Sequence, residues 1–166
     1  MKTVVTIVTM LFFCLAGTSV PAAEKALVGE TAWIGVGGVP FSYLARIDTG
    51  ARVTSIHAVD VEVVSGSEVV EENVGKTVSF KTINGDGKSE MVTAIITKVS
   101  TVKNSQGIEK RYVIELSLSW KHVEKKVEVN LRDRSKMSYK LLIGRNWLSG
   151  DFLVDVDIKA EEKGVE

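Results

Sequence analysis

The chain has 166 residues and carries 21 Lys and Arg against 21 Asp and Glu, so its formal net charge at pH 7 is zero. A neutral chain of this length is not attracted electrostatically to nucleic acid or to an anionic membrane surface. We therefore expect one domain of ordinary globular size and no nucleic-acid partner.

The first 22 residues have the pattern of a secretory signal peptide. Lys2 precedes an apolar stretch over residues 4–17, and small residues follow that stretch up to Ala22. The stretch is about fourteen residues long, whereas a membrane-spanning helix needs about twenty. We predict that residues 1–22 are removed on export to the periplasm or the medium and that no stable membrane span remains. A retained membrane anchor is the alternative.

The predicted mature chain, residues 23–166, contains no cysteine, because Cys14 lies in the leader. This excludes disulfide bonds, thiol catalysis and cysteine-ligated zinc in the mature protein. The hydrophobic core must therefore hold the structure together, and a single domain over residues 23–166 is predicted.

Apolar residues in the mature chain alternate with polar ones at a period of two, which predicts β-strands. Turns rich in Gly and Asn separate these stretches and predict hairpins. The predicted strands cover residues 61–64, 74–80, 91–99, 111–118, 123–131 and 152–158. One short helix is predicted to begin near Gly144, because Ser149 and Gly150 end it soon afterwards. The fold class expected is all-β.

Two short motifs indicate the chemistry. Asp48, Thr49 and Gly50 follow an apolar run, so a strand delivers the aspartate into a tight turn, and the later segment 141–148 places Gly144 where a second element can pack beneath that turn. Peptide hydrolysis with neither a metal nor a covalent intermediate needs two carboxyl groups about 3 Å apart that share one proton and act as base and acid. No other aspartate of the chain precedes Thr-Gly or Ser-Gly. One chain therefore supplies half of such a site, and this chemistry predicts a symmetric homodimer.

These motifs resemble the active-site loop and closing helix of retropepsin-type aspartic proteases. Segments 45–58 and 131–139, taken with Gly144, Arg145 and Asn146, are more similar to one bacterial family of retropepsin-like proteins. Its members are also named ATP-dependent zinc proteases and are associated with ATP-grasp ligases that add glutamate to proteins. The similarity, over residues 27–158, implies a closed acid-protease β-barrel with one short C-terminal helix. It also implies aspartic endopeptidase activity on a peptide or protein substrate and a functional link to a glutamate ligase.

The resemblance implies roles for the residues of the turn. Asp48 would be the catalytic acid and base, Thr49 would brace the two turns across the dimer, and Gly50 would contact the substrate backbone. Ala51 would line the adjoining subsite. Arg52 stands where viral retropepsins usually have an aspartate, and a guanidinium at this position favours a carboxylate on the substrate. We therefore expect an acidic or glutamate-rich peptide as substrate, with a solvated loop arginine as the alternative.

Gly144, Arg145 and Asn146 are expected to support the turn structurally. Because the family aspartate is replaced, Arg145 lacks its usual partner, and Asp133 is a hypothetical substitute. The predicted hairpin at residues 84–87 is a candidate flap over the substrate, with an ordinary surface hairpin as the alternative.

The sequence contains few residues that could bind a metal ion or a cofactor. The chain has two histidines, His57 and His122, and it contains neither a His-Glu-x-x-His motif nor a nucleotide-binding P-loop. No metal or cofactor is therefore predicted, and any dependence on ATP would belong to a partner. Two other interpretations stay open: a non-catalytic peptide-binding module with the same fold, and a zinc-dependent hydrolase.

Overall fold

The computed structural model describes residues 24–104 and 107–160. The predicted signal peptide lies outside these residues, so it stays a prediction. Within the described part of the chain, no helix is long and apolar enough to cross a membrane.

Strands dominate the described residues, as the sequence predicts. They are β1 (Ala26–Val28), β2 (Thr31–Val36), β3 (Tyr43–Ile47), β4 (Thr54–His57), β5 (Val59–Val63), β6 (Thr77–Ile83), β7 (Ser89–Ile95), β8 (Lys98–Asn104), β9 (Gly107–Trp120), β10 (Val123–Arg132), β11 (Leu141–Ile143) and β12 (Phe152–Val154). The α-helix α1 (Arg145–Leu148) lies between β11 and β12, and a short 3-10 turn covers Val70–Asn73. The prediction of a mostly β protein with a short helix near its C-terminal end is confirmed.

The described strands form three sheets, so the predicted closed barrel is not confirmed. The largest sheet has the order β10-β4-β11-β3-β2-β9-β8, with an additional pairing between β10 and β9. Strands β5, β6 and β7 form a second sheet, and β1 and β12 form a third. A register shift between Val59 and Glu62 interrupts the pairing of β5 with β6. The pairing of β2 with β9 is limited to two residue pairs, so few hydrogen bonds between these strands are available to close a barrel.

Strands β3, β4 and β11 form the centre of the large sheet. β11 pairs in parallel with β3, which places Ile143 opposite Ile47, and it pairs antiparallel with β4. Both isoleucines are buried in the core, as is Trp147 of α1. Because parallel paired strands end at the same edge of a sheet, Asp48 after β3 and Gly144 after β11 meet there.

The last strand is shorter than predicted, because the chain turns after Val154. The N–H of Asp155 donates to the carbonyl of Val28 at 3.0 Å, and the N–H of Asp157 donates to the Asp155 Oδ1 at 3.0 Å. An aspartate side chain that accepts a backbone N–H two residues later stabilises a turn in competition with a strand. The alternating pattern at residues 152–158 therefore forms a strand only over its first part.

Candidate active site

The turn after β3 orients the carboxylate of Asp48. The Asp48 N–H donates to the carbonyl of Ile143 at 2.9 Å, which anchors the turn to the end of β11. The Asp48 Oδ1 accepts the N–H of Gly50 at 2.9 Å and the N–H of Ala51 at 3.2 Å. Asp48 is half-buried, whereas Thr49 and Gly50 are exposed. The carboxylate is thus fixed by backbone donors at an accessible position.

Gly144 allows α1 to begin directly against the turn. A Cβ atom on Gly144 would lie 2.7 Å from the backbone carbon of Val53 and 3.0 Å from the carbonyl oxygen of Ala51. Heavy atoms in a close-packed interior do not approach so closely, so only glycine fits here. The Gly144 N–H donates to the Thr54 Oγ1 at 3.1 Å, and the Arg145 N–H donates to the Ala51 carbonyl at 2.8 Å.

Asn146 joins the turn to the neighbouring strands. Its Oδ1 accepts the N–H of Thr54 at 3.0 Å and the Thr54 hydroxyl at 2.9 Å, and its Nδ2 donates to the carbonyl of Glu128 at 2.7 Å. The fully buried Thr54 hydroxyl therefore both accepts and donates a hydrogen bond. Sequence reasoning missed Thr54, because a threonine in a β-strand is too common to indicate a special role.

Arg145 contacts backbone carbonyls of the turn, and the predicted Asp133–Arg145 pair is wrong. The Arg145 Nη1 donates to the carbonyls of Thr49 at 2.9 Å and Gly50 at 3.0 Å. Asp133 follows β10, where its Oδ1 accepts the N–H of Ser135 at 2.8 Å and also the Ser135 hydroxyl. The Asp133 carboxylate is therefore engaged by its own local turn.

Ala51 and Arg52 complete the segment after Asp48. Ala51 is half-buried and Arg52 is exposed. The Arg52 carbonyl accepts the N–H of Asn146 at 3.2 Å, so α1 anchors the backbone of this segment. The backbone of Arg52 is thus held in place, and its exposed side chain begins four residues after Asp48 in the chain.

His57 is a buried residue to which sequence reasoning gave no catalytic role. Its Nδ1 accepts the N–H of Arg134 at 2.9 Å and lies 3.7 Å from the Asp133 Oδ1. Burial lowers the pKa of His57, and this effect is only partly opposed by the negative charge of Asp133. His57 therefore acts as a neutral acceptor. Within the described ranges, no group of three or more His, Cys, Asp or Glu residues is placed to hold a metal ion.

The candidate flap is docked away from the Asp48 turn. Strands β6 and β7 form the predicted hairpin, and Asn84 in its turn donates to the carbonyl of Ser42 at 3.2 Å. The Thr82 and Tyr43 hydroxyls share a buried hydrogen bond of 2.8 Å. Both anchors lie at the start of β3, whereas Asp48 follows its end, about 16 Å away along an extended strand. The hairpin therefore supports β3 and does not cover the turn.

The comparisons with known proteins agree with the resemblance seen in the motifs. A family model described as "Retropepsin-like aspartic endopeptidase RimB" matches residues 27–162. This range includes the Asp48 turn, Gly144 and α1, together with the strands that position them.

Curated relatives named "Probable alpha-L-glutamate ligase" match a similar stretch. The relative from Shewanella halifaxensis is 33% identical over 138 residues, which cover 80% of this chain and 29% of that protein. A second relative, from Shewanella pealeana, is 32% identical with the same coverage. A third relative, from Parasynechococcus marenigrum, is 29% identical over 137 residues, which cover 28% of that protein. The chain thus spans less than a third of the length of these relatives.

A solved structure shows a similar fold. The crystal structure of a protein of unknown function from Legionella pneumophila aligns with a TM-score of 0.66 and 23% identity. The alignment covers 84% of this chain and 100% of that chain. At this identity, the similarity bears on the fold alone.

Proposed function

Because the chain belongs to the RimB-like family of retropepsin-like aspartic endopeptidases, we propose that it hydrolyses peptide bonds with the Asp48 carboxyl. The proposed enzyme is a homodimer in which Asp48 meets the partner subunit's Asp48 at the two-fold axis. We propose export to the periplasm or the medium after removal of residues 1–22.

The geometry of the Asp48 turn carries the catalytic proposal. Two backbone N–H groups fix the Asp48 Oδ1, and the residue remains half-buried beside an exposed Thr49. A carboxylate held in one orientation at an accessible edge is suited to act as a general base. Gly144, Arg145 and Asn146 hold the same turn through backbone and side-chain contacts.

In the proposed reaction, one Asp48 carboxylate takes a proton from water as the water oxygen bonds to the scissile carbonyl carbon. The partner subunit's Asp48 gives its proton to the carbonyl oxygen, which produces a tetrahedral diol. The C–N bond then breaks as the first Asp48 carboxyl protonates the amide nitrogen, and a diol proton returns to the partner's Asp48. The two carboxyls share one proton because both cannot ionise at about 3 Å separation.

We propose an acidic or glutamate-rich peptide as substrate. The exposed Arg52 lies on the segment that follows Asp48, where its guanidinium can bind a carboxylate in bidentate fashion. The relatives named as glutamate ligases support a peptide that carries glutamate.

The same relatives support a functional link to a ligase. In them, a stretch similar to this chain makes up less than a third of a longer protein that is named as a ligase. We propose that this chain processes peptides that a glutamate ligase extends. We do not propose ligase activity for this chain, because it spans less than a third of those relatives and the family model that matches this stretch describes an endopeptidase.

Replacement of Asp48 by asparagine tests the catalytic proposal. The amide keeps the size of the side chain but can act neither as base nor as acid, so we expect kcat/KM on a fluorogenic glutamate-containing peptide to fall by about 10²- to 10⁴-fold. Asp60→Asn is the matched control, because Asp60 is exposed on β5 and has a φ of 51°, a conformation that asparagine also adopts. Both variants are assayed at acidic and neutral pH, with and without a chelator.

Each alternative function has a distinct outcome in this assay. Full cleavage by Asp48→Asn would contradict the proposal. Activity that the chelator abolishes, with metal bound in stoichiometric amount, would indicate a zinc-dependent hydrolase. Peptide binding without turnover at any pH would indicate a non-catalytic peptide-binding module.

A further inference from the structure

Strand β7 is an edge of the second sheet, where β6 is its one strand neighbour within the described ranges. Directly after β7, the Ile96 N–H donates to the carbonyl of Lys76 at 3.0 Å. In an antiparallel pair, residues that hydrogen-bond to the neighbouring strand alternate with residues whose backbone groups point away from it. Along the register of β6 with β7, this alternation directs the backbone N–H and C=O groups of Met91, Thr93 and Ile95 away from β6.

These outward-facing backbone groups are only partly satisfied. The Met91 N–H donates to the Glu90 Oε1 at 3.2 Å. In the part of the chain that the structure describes, no strand or loop pairs with the backbone of Thr93 or Ile95 on this side. Unpaired N–H and C=O groups along a sheet edge are a template on which another strand can form.

Strands β5 and β8 also lie at sheet edges, and both contain features that disfavour such pairing. A register shift interrupts β5, which carries Asp60 and Glu62, and β8 carries Lys98 and Lys103. Residues 91–95 contain neither a charged residue nor a proline, and their register with β6 is continuous. Charges, prolines and bulges are the usual means of blocking an edge. The edge of β7 is therefore suited to the addition of a strand.

The edge of β7 lines a groove of about 440 Å³, which we call the β7 groove. This volume is within the range of sites that bind ligands. Residues 91–95 share the groove with residues of the turn between β2 and β3 and of strands β9 and β10, which are Gly37, Gly38, Glu115, Leu116 and Lys126. The Lys126 Nζ lies 2.9 Å from the Glu115 Oε2, so these two charges offset each other.

We propose that the β7 groove binds an extended, uncharged peptide segment of a partner protein, which joins the second sheet as a strand beside β7. Thr93 and Ile95 exchange backbone hydrogen bonds with the added strand. The side chains of Met91 and Ile95 are 55% and 52% exposed, and they pack against apolar side chains at every second position of the peptide. Because the Glu115–Lys126 pair offsets its own charges, the groove favours a segment without charge.

This binding site goes beyond the peptide hydrolysis proposed above. The β7 groove adjoins the turn that precedes β3, whereas Asp48 follows the end of β3. Binding in the groove therefore does not need the Asp48 carboxyl, and it is measured without reference to cleavage.

The first test measures the binding of a fluorescein-labelled peptide of four Val-Thr repeats by fluorescence anisotropy. Thr93→Pro removes an outward-facing N–H and leaves the hydrogen bonds between β6 and β7 in place. We expect this variant to raise the peptide Kd by at least about tenfold, since a carbonyl of the added strand loses its donor. Thr93→Val is the matched control, because it keeps the N–H and a β-branched side chain, and it should bind like the wild type.

A second variant covers the case in which Thr93→Pro does not fold. Ile95→Lys places a charge on the edge, which disfavours strand addition, at a side chain that is already half exposed. It should weaken peptide binding as Thr93→Pro does. Val64→Lys is its control, because Val64 follows β5 at the opposite edge of the same sheet and is 62% exposed. No binding by the wild type, or an unchanged Kd in the β7 variants, would overturn the proposal.

Amide hydrogen exchange identifies where the peptide binds. With saturating Val-Thr peptide, the exchange of the Thr93 and Ile95 amides should slow, because both become hydrogen-bonded. Protection confined to the Asp48 turn would overturn the β7 groove and leave the proposed hydrolysis intact. Protection of Thr93 and Ile95 that grows with protein concentration, without peptide, would assign the edge to a second copy of the chain and would also overturn the proposal.

Discussion

At the scale of single residues, His57 links the stability of the fold to pH. Its buried Nδ1 accepts the N–H of Arg134, so it must be unprotonated in the folded state. The groups that face it are the carboxylate of Asp133, which favours the protonated form, and the cations of Lys140 and Arg134, which disfavour it. Burial is the largest effect and keeps the pKa of His57 below 6.5.

We predict that the free energy of unfolding falls as the pH drops below neutrality. An unfolded histidine takes up its proton near pH 6.5, whereas folded His57 does so only at lower pH. The stabilisation is therefore complete above pH 6.5 and is lost as the pH falls from there towards the folded-state pKa. Urea unfolding of wild-type protein and of His57→Asn across this range measures the effect. The amide oxygen of asparagine replaces the acceptor and does not titrate.

His122→Asn is the control for this experiment. His122 is exposed in the turn between β9 and β10, so its variant should keep the wild-type dependence on pH. All three proteins contain the same carboxylates, and among them Asp133 is the one whose pKa is lowered by its hydrogen bonds with Ser135 and in part by His57. An identical pH dependence in wild type and His57→Asn would show that the histidine is not the group responsible.

At the scale of elements, the start of α1 and the Asp48 turn form one packed unit. We predict that Gly144→Ala lowers the free energy of unfolding by about 1–3 kcal/mol, because the added methyl group overlaps the backbone of Val53 and Ala51. The displaced turn should also lose activity, since a shift of about 1 Å in a catalytic group can cost about a hundredfold in rate. Chemical denaturation and peptide cleavage measure the two effects.

Gly85→Ala is the matched control for the packing prediction. Nothing lies within 4 Å of a Cβ at Gly85, so this variant should change stability by less than about 0.5 kcal/mol. Equal stability of the Gly144 and Gly85 variants would mean that the turn can move away from α1 without cost.

The sequence predicts a secondary-structure element well where one local pattern of residues determines it. It predicts less well where consecutive strands of the chain pair with different sheets. The apolar alternation over residues 91–99 predicts one strand, but the structure divides it into β7 and β8. The Ile96 N–H donates to the carbonyl of Lys76, which directly precedes β6 of the second sheet, whereas the Thr97 N–H donates to the carbonyl of Val113 in β9 of the largest sheet. Periodicity reports which face is buried and contains no information about which sheet supplies the partner.

The same limit applies to the candidate site. The Asp48 turn and Gly144 could be identified from short sequence motifs. An aspartate in a turn after a strand and a glycine at a close backbone contact are both residue types that a local motif indicates. The contacts of Thr54 and Arg134 join residues that are far apart in the chain, and no local pattern indicates them. The Asp133–Arg145 pair failed for the same reason, since the nearby Ser135 satisfied the carboxylate.

At the scale of the whole molecule, one chain supplies a single Asp-Thr-Gly turn, and the proposed mechanism needs two. Leu27 and Leu153 are neighbours in the β1–β12 sheet and are 55% and 53% exposed. A surface depression lined by Thr49, Arg145 and Leu153 lies between this apolar face and the Asp48 turn. Adjacent exposed apolar residues are typical of surfaces that bind another protein. We propose this face as the surface that a second copy covers.

Mixing of wild-type and Asp48→Asn subunits tests whether two chains build one site. The two proteins are unfolded together and refolded at constant total concentration, so that subunits combine at random. If one site needs both carboxyls, a mixed dimer is inactive, and activity falls with the square of the wild-type fraction. A site contained within one chain would instead give a linear decrease. Mixtures of wild type with Asp60→Asn should show no loss of activity, because the control subunit keeps its Asp48 carboxyl. A linear decrease of activity in the mixtures with Asp48→Asn would rule out a pair of carboxyls shared between two chains.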